Sequence, residues 1–476
     1  MITTGWLSGA IPSKSLSSVL RLSALGRLLR CRRGCGQLAG DDLRRATDTF
    51  AWIRRRVPFG REYSALDIAK CRYCRDSIVH FQRANQIIMK VLAFNRHYLP
   101  GFKAGGPIRS LANMAEALGD EIRFFIGTTD RDLGDAEPYP EIDRNAWIKI
   151  GKAEVRYFAP GSISIRAICA LIDEVRPDCI YLNSFFDPIF SLRVLIARRV
   201  GLIPRIPLLL APRGEFSLGA LTLKSLRKLA YIKGASISGL TRDVMWHAST
   251  AIEADDISRA MSIGSSSIAV GSDLATAPPA NAASAWRPRE SGRPFRLCFL
   301  SRISPKKNLT GALRAIGLVK AHVVFDIYGP KEDESYWVEC QKLIDELPPH
   351  VSVAYRGEVA HQDIASVFAC YDLFLFPTLG ENYGHVIFEA MSVGLPVLTS
   401  DQTPWNDLRE AGAGWAIAPD PSSIATCIDE AAHWTLAEQS AARAACTRYA
   451  ELVLQDSQSI EQNRKLLFAA ARIGGG

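Results

Sequence analysis

The stretch ENYGHVIFEAMSVGLPVLTS, residues 381–400, follows the apolar run YDLFLFPT at 371–378. The apolar run has the length and composition of a fully buried strand. LGEN (379–382) reads as a loop at its carboxyl end, and HVIFEAMSVG as a helix ended by Gly394 and Pro396. VLTS then begins a second strand. Glu381 falls in the loop, and Glu389 lies about two helical turns later on the side shared with His385. The residues between them, Asn382, Tyr383, Gly384, His385 and Val386, form an exposed helix N-terminus. Its backbone N–H groups suit an anion such as a phosphate, and Gly384 lets that anion come close to the backbone. Taken alone, a capped helix with a solvated Glu389 fits equally well.

The same strand–loop–helix unit recurs on both sides of this stretch. Upstream, MKVLAFN (89–95) reads as a strand, HYLPGFKAGGP as a glycine-bearing loop, and IRSLANMAEALG as a helix. Leu111, Met114, Ala115 and Leu118 recur at helical spacing there, with Pro107 in the first turn and Gly119 at the end. IRFFIGTT, CIYLNSF and IPLLLAP read as further strands, each with a helix after it. PFRLCFLSRI, HVVFDIYGP and VSVAYRGEV read as strands of a second series. Alternation of this kind predicts parallel sheets covered on both faces.

The run SDLATAPPANAASAWRPRESGRP (272–294) is rich in Ala, Pro and Ser and reads as a linker. We place the domain boundaries at 89–275 and 295–455, with the linker at 276–294 and a helical tail at 456–476. The expected fold class is α/β, with two Rossmann-like parallel-sheet domains facing across a cleft.

Charge separates one further segment. The net charge is +8, yet residues 1–90 hold 17 Lys/Arg against 6 Asp/Glu, and the rest of the chain is slightly acidic. A nucleic-acid-binding function would rest on that basic segment alone. Cys31, Cys35, Cys71 and Cys74 lie within it, but nearly forty residues separate the two pairs and nothing else supports a zinc site. Residues 1–88 show no sustained period and are expected to lie outside the fold. The remaining cysteines sit in apolar segments, as expected for reduced thiols in a cytoplasmic protein.

SRISPKKN, after the first strand of the second domain, carries Arg302 and Lys307. Two cations there suit a diphosphate and the charge it gains on departure. Gly105 and Gly106 hold the matching loop of the first domain. With a cradle between them, Glu381 and Glu389 are spaced to take hydroxyls at opposite ends of a nucleoside diphosphate sugar.

HYLPGFKAGGPIRSLANMAEALG, SRISPKKN and ENYGHVIFEAMSVGLPVLTS together resemble retaining glycosyltransferases of family 4, which have the GT-B fold. The likeness covers about residues 89 to 460, and TPWNDLREAGAGWAI resembles members that build bacterial surface polysaccharides. The resemblance implies that Glu389 holds the donor ribose, and that Glu381 and nearby amides hold the sugar. Arg302 and Lys307 would bind the diphosphate, with no metal and no cofactor. Gly329 in IYGP and Arg356 in RGEV match loops that surround the nucleotide base. The implied partners are a UDP- or GDP-sugar and a glycan or lipid-linked acceptor, without nucleic acid.

One position departs from the family pattern. LLLAPRGEFS places Arg213 where many members carry a histidine. Arginine cannot act as a base but can bind donor or acceptor oxygens. His97 and His247 remain alternatives. LTLKSLRKLAYIKG (221–234) alternates basic and apolar residues, and fits both a peripheral contact with the inner face of an anionic membrane and a helix covering the sheet. A nucleotide-sugar 2-epimerase on the same fold is the enzyme alternative.

Overall fold

The computed structural model describes residues 89–472, except 145, 218–219, 222–224, 277–285, 287–288 and 290–291. The basic segment 1–88, its cysteine pairs and most of the 276–294 linker lie outside the described residues.

The first domain is built on strands β1 (Met89–Phe94), β2 (Ile122–Thr129), β3 (Ile148–Ile150), β4 (Ala153–Phe158), β5 (Cys179–Asn183), β6 (Leu208–Ala211), β7 (Val244–Ala248) and β8 (Ile268–Val270). They form one sheet in the order β3-β4-β2-β1-β5-β6-β7-β8. Helices α1 (Gly106–Leu118), α2 (Ile165–Val175), α3 (Ser191–Arg199), α4 (Ser225–Ile237) and α5 (Ala251–Met261) complete this part of the chain. The near-continuous apolar run of β1 is explained by burial on both faces. In α1, Ile108, Leu111, Met114, Ala115 and Leu118 are buried, so the helical period of the sequence is the core-facing stripe.

The second domain carries β9 (Phe295–Leu300), β10 (Val323–Tyr328), β11 (Val351–Gly357), β12 (Leu373–Phe376), β13 (Val397–Ser400) and β14 (Gly414–Ile417). These strands form an all-parallel sheet in the order β11-β10-β9-β12-β13-β14. Its helices are α6 (Leu309–Ile316), α7 (Glu334–Asp345), α8 (His361–Phe368), α9 (His385–Ser392), α10 (Pro421–Ala432) and α11 (Leu436–Gln455). Numbered within the domain, the strand order is 3-2-1-4-5-6. Strand order therefore reverses between β9 and β12, and a crevice opens at the carboxyl ends of those two strands. SRISPKKN and ENYGH are the loops that leave them.

The structure corrects the sequence reading in three places. The first sheet is not wholly parallel, because β2 leads to a β3–β4 hairpin whose strands pair antiparallel at the sheet edge. Charged residues and Gly151 break up any apolar run there, so IKIGKAEVRYF carries little strand signal. Strands β7, β8 and β14 also went unread. The last helix, α12 (Ser457–Arg472), is more than a tail. It crosses back to the first domain, where Leu466, Leu467 and Ala470 join the core formed by β1 and α1. Asn463 Nδ2 donates to the Ser272 carbonyl at 2.7 Å and ties the crossing in place.

Helix α4 buries Ile232 and Ala235 against the aromatic cluster of Phe185, Phe216 and Trp246. Tyr231 packs on Phe185 and Phe186, while Leu226 and Ile237 face outward, 83% and 87% exposed. Only part of this helix covers the domain.

Candidate functional site

The carboxyl ends of the two sheets face each other across a cavity of about 260 Å³. Of the residues singled out in the sequence, Gly105, Gly106, Arg213, Arg302, Lys307, Gly329, Glu381, Asn382, Tyr383, Gly384, His385, Val386 and Glu389 line it. The fold thus gathers side chains up to 284 positions apart in sequence, from Gly105 to Glu389, into one crevice.

Helix α9 begins at Gly384, whose φ of 77° lies in the left-handed region that a side chain would strain. No side chain caps this terminus, so its first amides are available to an anion. In front of it, Lys307 Nζ donates to Glu381 Oε1. Thr378 Oγ1 donates to the same oxygen at 3.1 Å, and the Glu381 amide donates to the Gln402 carbonyl at 3.0 Å. Burial would raise the Glu381 carboxyl, but Lys307 and Lys306 outweigh it and hold the group below the ordinary carboxylate range. Burial lowers the Lys307 ammonium despite that partner. Arg302 reaches Glu332 at 2.7 Å in a half-exposed pair.

Glu389 has a different environment. Its carboxylate lies 3.5 Å from His361 Nδ1, and burial pushes its pKa up to about 7 while Arg109 opposes the rise. Burial and the charge of Arg109 bring His361 down to about 4. The two glutamates of the opening stretch therefore differ in charge behaviour: Glu381 is held ionised, and Glu389 titrates near neutrality.

Gly329 has a physical reason to be glycine. Its φ is 125°, and a Cβ there would run into the Ser301 carbonyl, where β10 passes the end of β9. Arg356, expected beside it, does not line the cavity. Its Nε donates to Asp326 Oδ1 at 2.8 Å on the second sheet.

On the first-domain side Arg213 makes three hydrogen bonds. Its Nη1 donates to Asp273 Oδ1 at 2.6 Å, Nη2 to Tyr181 Oη at 2.8 Å and Nε to Asn183 Oδ1 at 3.3 Å. The pair with Asp273 is buried, each side chain 6% exposed. His247 lies behind it: Tyr181 Oη donates to Nδ1 at 2.7 Å, and Nε2 donates to the Gly271 carbonyl at 2.8 Å. Burial, aided by the charge of Arg213, lowers His247 to about 4. His97 donates from Nδ1 to the Arg131 carbonyl at 3.2 Å and does not line the cavity.

Sequence reasoning missed Arg109, Ser110, Asp273, Lys306 and His361, which also line the crevice. Arg109 and Ser110 follow Gly105-Gly106 in the first turn of α1, so that spacing could have flagged them. Asp273 sits in a stretch read as linker and gave no signal. Among the described residues, no group of three His, Cys, Asp or Glu side chains is arranged to hold a metal ion.

Residues 294–433 match the family described as glycosyl transferases group 1. The chain is 26% identical over 132 residues to O-antigen chain mannosyltransferase B of Escherichia coli, covering 26% of this chain and 33% of that protein. It is likewise 26% identical over 133 residues to the GtfA subunit of the UDP-N-acetylglucosamine–peptide N-acetylglucosaminyltransferase of Streptococcus gordonii, covering 27% of this chain and 25% of the other. The matched segments thus span a third or less of these curated relatives. The crystal structure of Anabaena HepE in complex with UDP and glucose superposes with a TM-score of 0.61 at 17% identity, over 80% of this chain and 100% of that one. The two-domain architecture is the GT-B fold of glycosyltransferases, as the sequence resemblance implies.

Proposed function

We propose that the chain is a retaining glycosyltransferase that moves a sugar from a nucleotide-sugar donor to a glycan or lipid-linked acceptor in surface polysaccharide synthesis. The observation that carries this reading is the arrangement at the switch point of the second sheet. An uncapped helix N-terminus stands between Glu381 and Glu389, and the Arg302–Lys307 loop lies beside it.

In this reading the donor diphosphate lies over Gly384, where the amides of α9 and the side chains of Arg302 and Lys307 meet its charge. These groups are fixed before the reaction and gain most as negative charge builds on the departing phosphate. Glu389 takes the two ribose hydroxyls, and Glu381, held ionised, meets the sugar. The acceptor oxygen bonds to the anomeric carbon on the face from which the phosphate leaves, the bond from that carbon to the phosphate oxygen breaks, and the departing phosphate takes the acceptor's proton, so no enzyme nucleophile and no metal is required. HepE was crystallised with UDP and glucose, and GtfA is named for UDP-N-acetylglucosamine, which favours a UDP-sugar as donor.

The acceptor side is the first domain. Leu226, Leu229 and Ile237 are exposed on α4 beside Arg227 and Lys233, which supports a peripheral contact with an anionic membrane bearing a lipid-linked acceptor. No helix among the described residues is long and apolar enough to cross a membrane. The function is tested by incubating the protein with UDP- and GDP-sugars, with and without lipid-linked acceptor, and recording the anomeric configuration of the product by NMR. Nucleoside diphosphate release that needs an acceptor, with the configuration kept, supports it. Conversion of the donor without any acceptor would point to an epimerase.

A further inference from the structure

The ring of His385 is held from the opposite domain. Its Nε2 lies 3.2 Å from Ser110 Oγ on α1 and 3.9 Å from Asp273 Oδ2 in the segment that leaves β8. Ser110 has one hydroxyl hydrogen. Its acceptor is the Gly106 carbonyl, 3.1 Å away, and the Asp273 carboxylate faces the ring nitrogen as well. With that hydrogen committed, the contact to His385 requires the ring to donate, so Nε2 carries the proton and Nδ1 is left as an acceptor. Asp273 also receives Arg213 at 2.6 Å. One carboxylate thus organises two side chains that line the crevice, one in each domain.

We propose that Asp273 is a positioning residue that, beside Ser110, fixes the ring of His385 and holds Arg213 directly, so that the two domains grip the donor's sugar together. The proposal rests on the transferase reading above. His385 presents a neutral acceptor at the start of α9, beside the place assigned to the diphosphate, where a sugar hydroxyl can donate to it. Arg213 presents N–H groups from the facing loop. Neither contact involves the nucleoside, so losing them affects the sugar and leaves the nucleotide bound. Arg109, Glu381, His361 and Tyr383 also face His385. None of the hydrogen bonds around the ring couples it to these groups, whereas its Nε2 faces Ser110 Oγ and the Asp273 carboxylate.

Asp273→Asn keeps the shape but removes the charge that orders both partners. The expected result is nearly unchanged affinity for UDP by calorimetry, with turnover of the nucleotide sugar lowered by on the order of 100-fold, the scale of small misplacement at a reacting centre. Ser110→Ala, which leaves the buried Arg213–Asp273 pair intact, should lower turnover less and in the same sense. In the His385→Ala background, Ser110→Ala should add almost nothing. A readout independent of activity is the nitrogen NMR spectrum of histidine-labelled protein, with His385 assigned by its loss in His385→Gln. The wild type should show an Nε2-protonated ring, and Ser110→Ala should shift the population toward the Nδ1 form. An unchanged tautomer in Ser110→Ala, or full additivity of Ser110→Ala with His385→Ala, overturns the proposal. A wild type that turns over no nucleotide sugar, while Ser110→Ala still gives the expected tautomer shift, overturns the transferase reading instead.

Discussion

Lys307 and Glu381, 74 positions apart in sequence, form a largely buried ion pair across the switch point of the second sheet, their side chains 12% and 14% exposed. Lys307 holds the Glu381 carboxyl ionised, and the proposed reaction uses the two groups separately. In the proposed function Lys307 meets the diphosphate and Glu381 the sugar.

Removing one member leaves the other charge buried without a partner. Lys307→Ala is expected to cost on the order of 3–5 kcal/mol of stability, read from denaturant unfolding. The double variant Lys307→Ala with Glu381→Gln should recover much of that loss. Turnover should stay low in both, because the leaving phosphate has lost its cation. Full recovery of turnover in the double variant would mean that the pair has no role in the reaction.

Glu389 sets a pH dependence for nucleotide binding. Burial raises its pKa to about 7, and ribose hydroxyls donate best to the ionised form, so the proposed nucleotide-bound state has the lower pKa. Affinity should be full above pH 7 and weaken by up to about tenfold per unit as pH falls below it. Calorimetric titration with UDP between pH 5.5 and 8.5 checks the slope. Glu389→Gln should remove the slope.

The same raised pKa makes Glu389 a stability cost. Its folded value lies above the unfolded carboxylate value, so the cost is absent at low pH and fully present above pH 7. Glu389→Gln should therefore raise stability by about 1–2 kcal/mol at pH 8, and the gain should shrink towards pH 5. Equal gains at both values would point to packing as the cause.

Much of this site was legible because the decisive residues follow strand ends. YDLFLFPT and PFRLCFL are strong buried-strand signals, and the loops after them hold Glu381, Arg302 and Lys307 at the switch point. Gly384 marked the start of α9 for a local reason. Asp273 was invisible because its partners, Arg213 and His385, lie 60 and 112 positions away and meet it only through the tertiary fold. The return of α12 to the first domain was invisible for the same reason: Leu466 and Leu467 show a helical stripe, but a stripe does not name the surface it covers. The hairpin β3–β4 was lost among charges.

For the membrane contact, vesicles of anionic and neutral lipid distinguish the readings of α4. Wild-type protein should sediment with anionic vesicles at low salt and be released by high salt, since the basic residues act within a screening length of the surface. Leu226→Asp with Leu229→Asp should abolish sedimentation without changing UDP affinity. Sedimentation unaffected by this pair would remove α4 from the proposed surface.

The division of labour between the glutamates gives a sharper test than turnover alone. Glu381→Gln should leave the affinity for bare UDP nearly intact while lowering turnover. Equal loss of UDP binding in Glu381→Gln and Glu389→Ala would show that the two roles are wrongly assigned.

The most direct measurement is thermal unfolding of the wild type and of Glu389→Ala against a panel of UDP- and GDP-sugars. A ligand at 100 times its Kd stabilises the folded state by about 2.7 kcal/mol, which is a readily measured rise in Tm. The expected result is a rise with at least one nucleotide sugar in the wild type and none in Glu389→Ala. No rise with any nucleotide sugar or nucleoside diphosphate, or an equal rise in both proteins, would contradict a donor seated between Glu381 and Glu389.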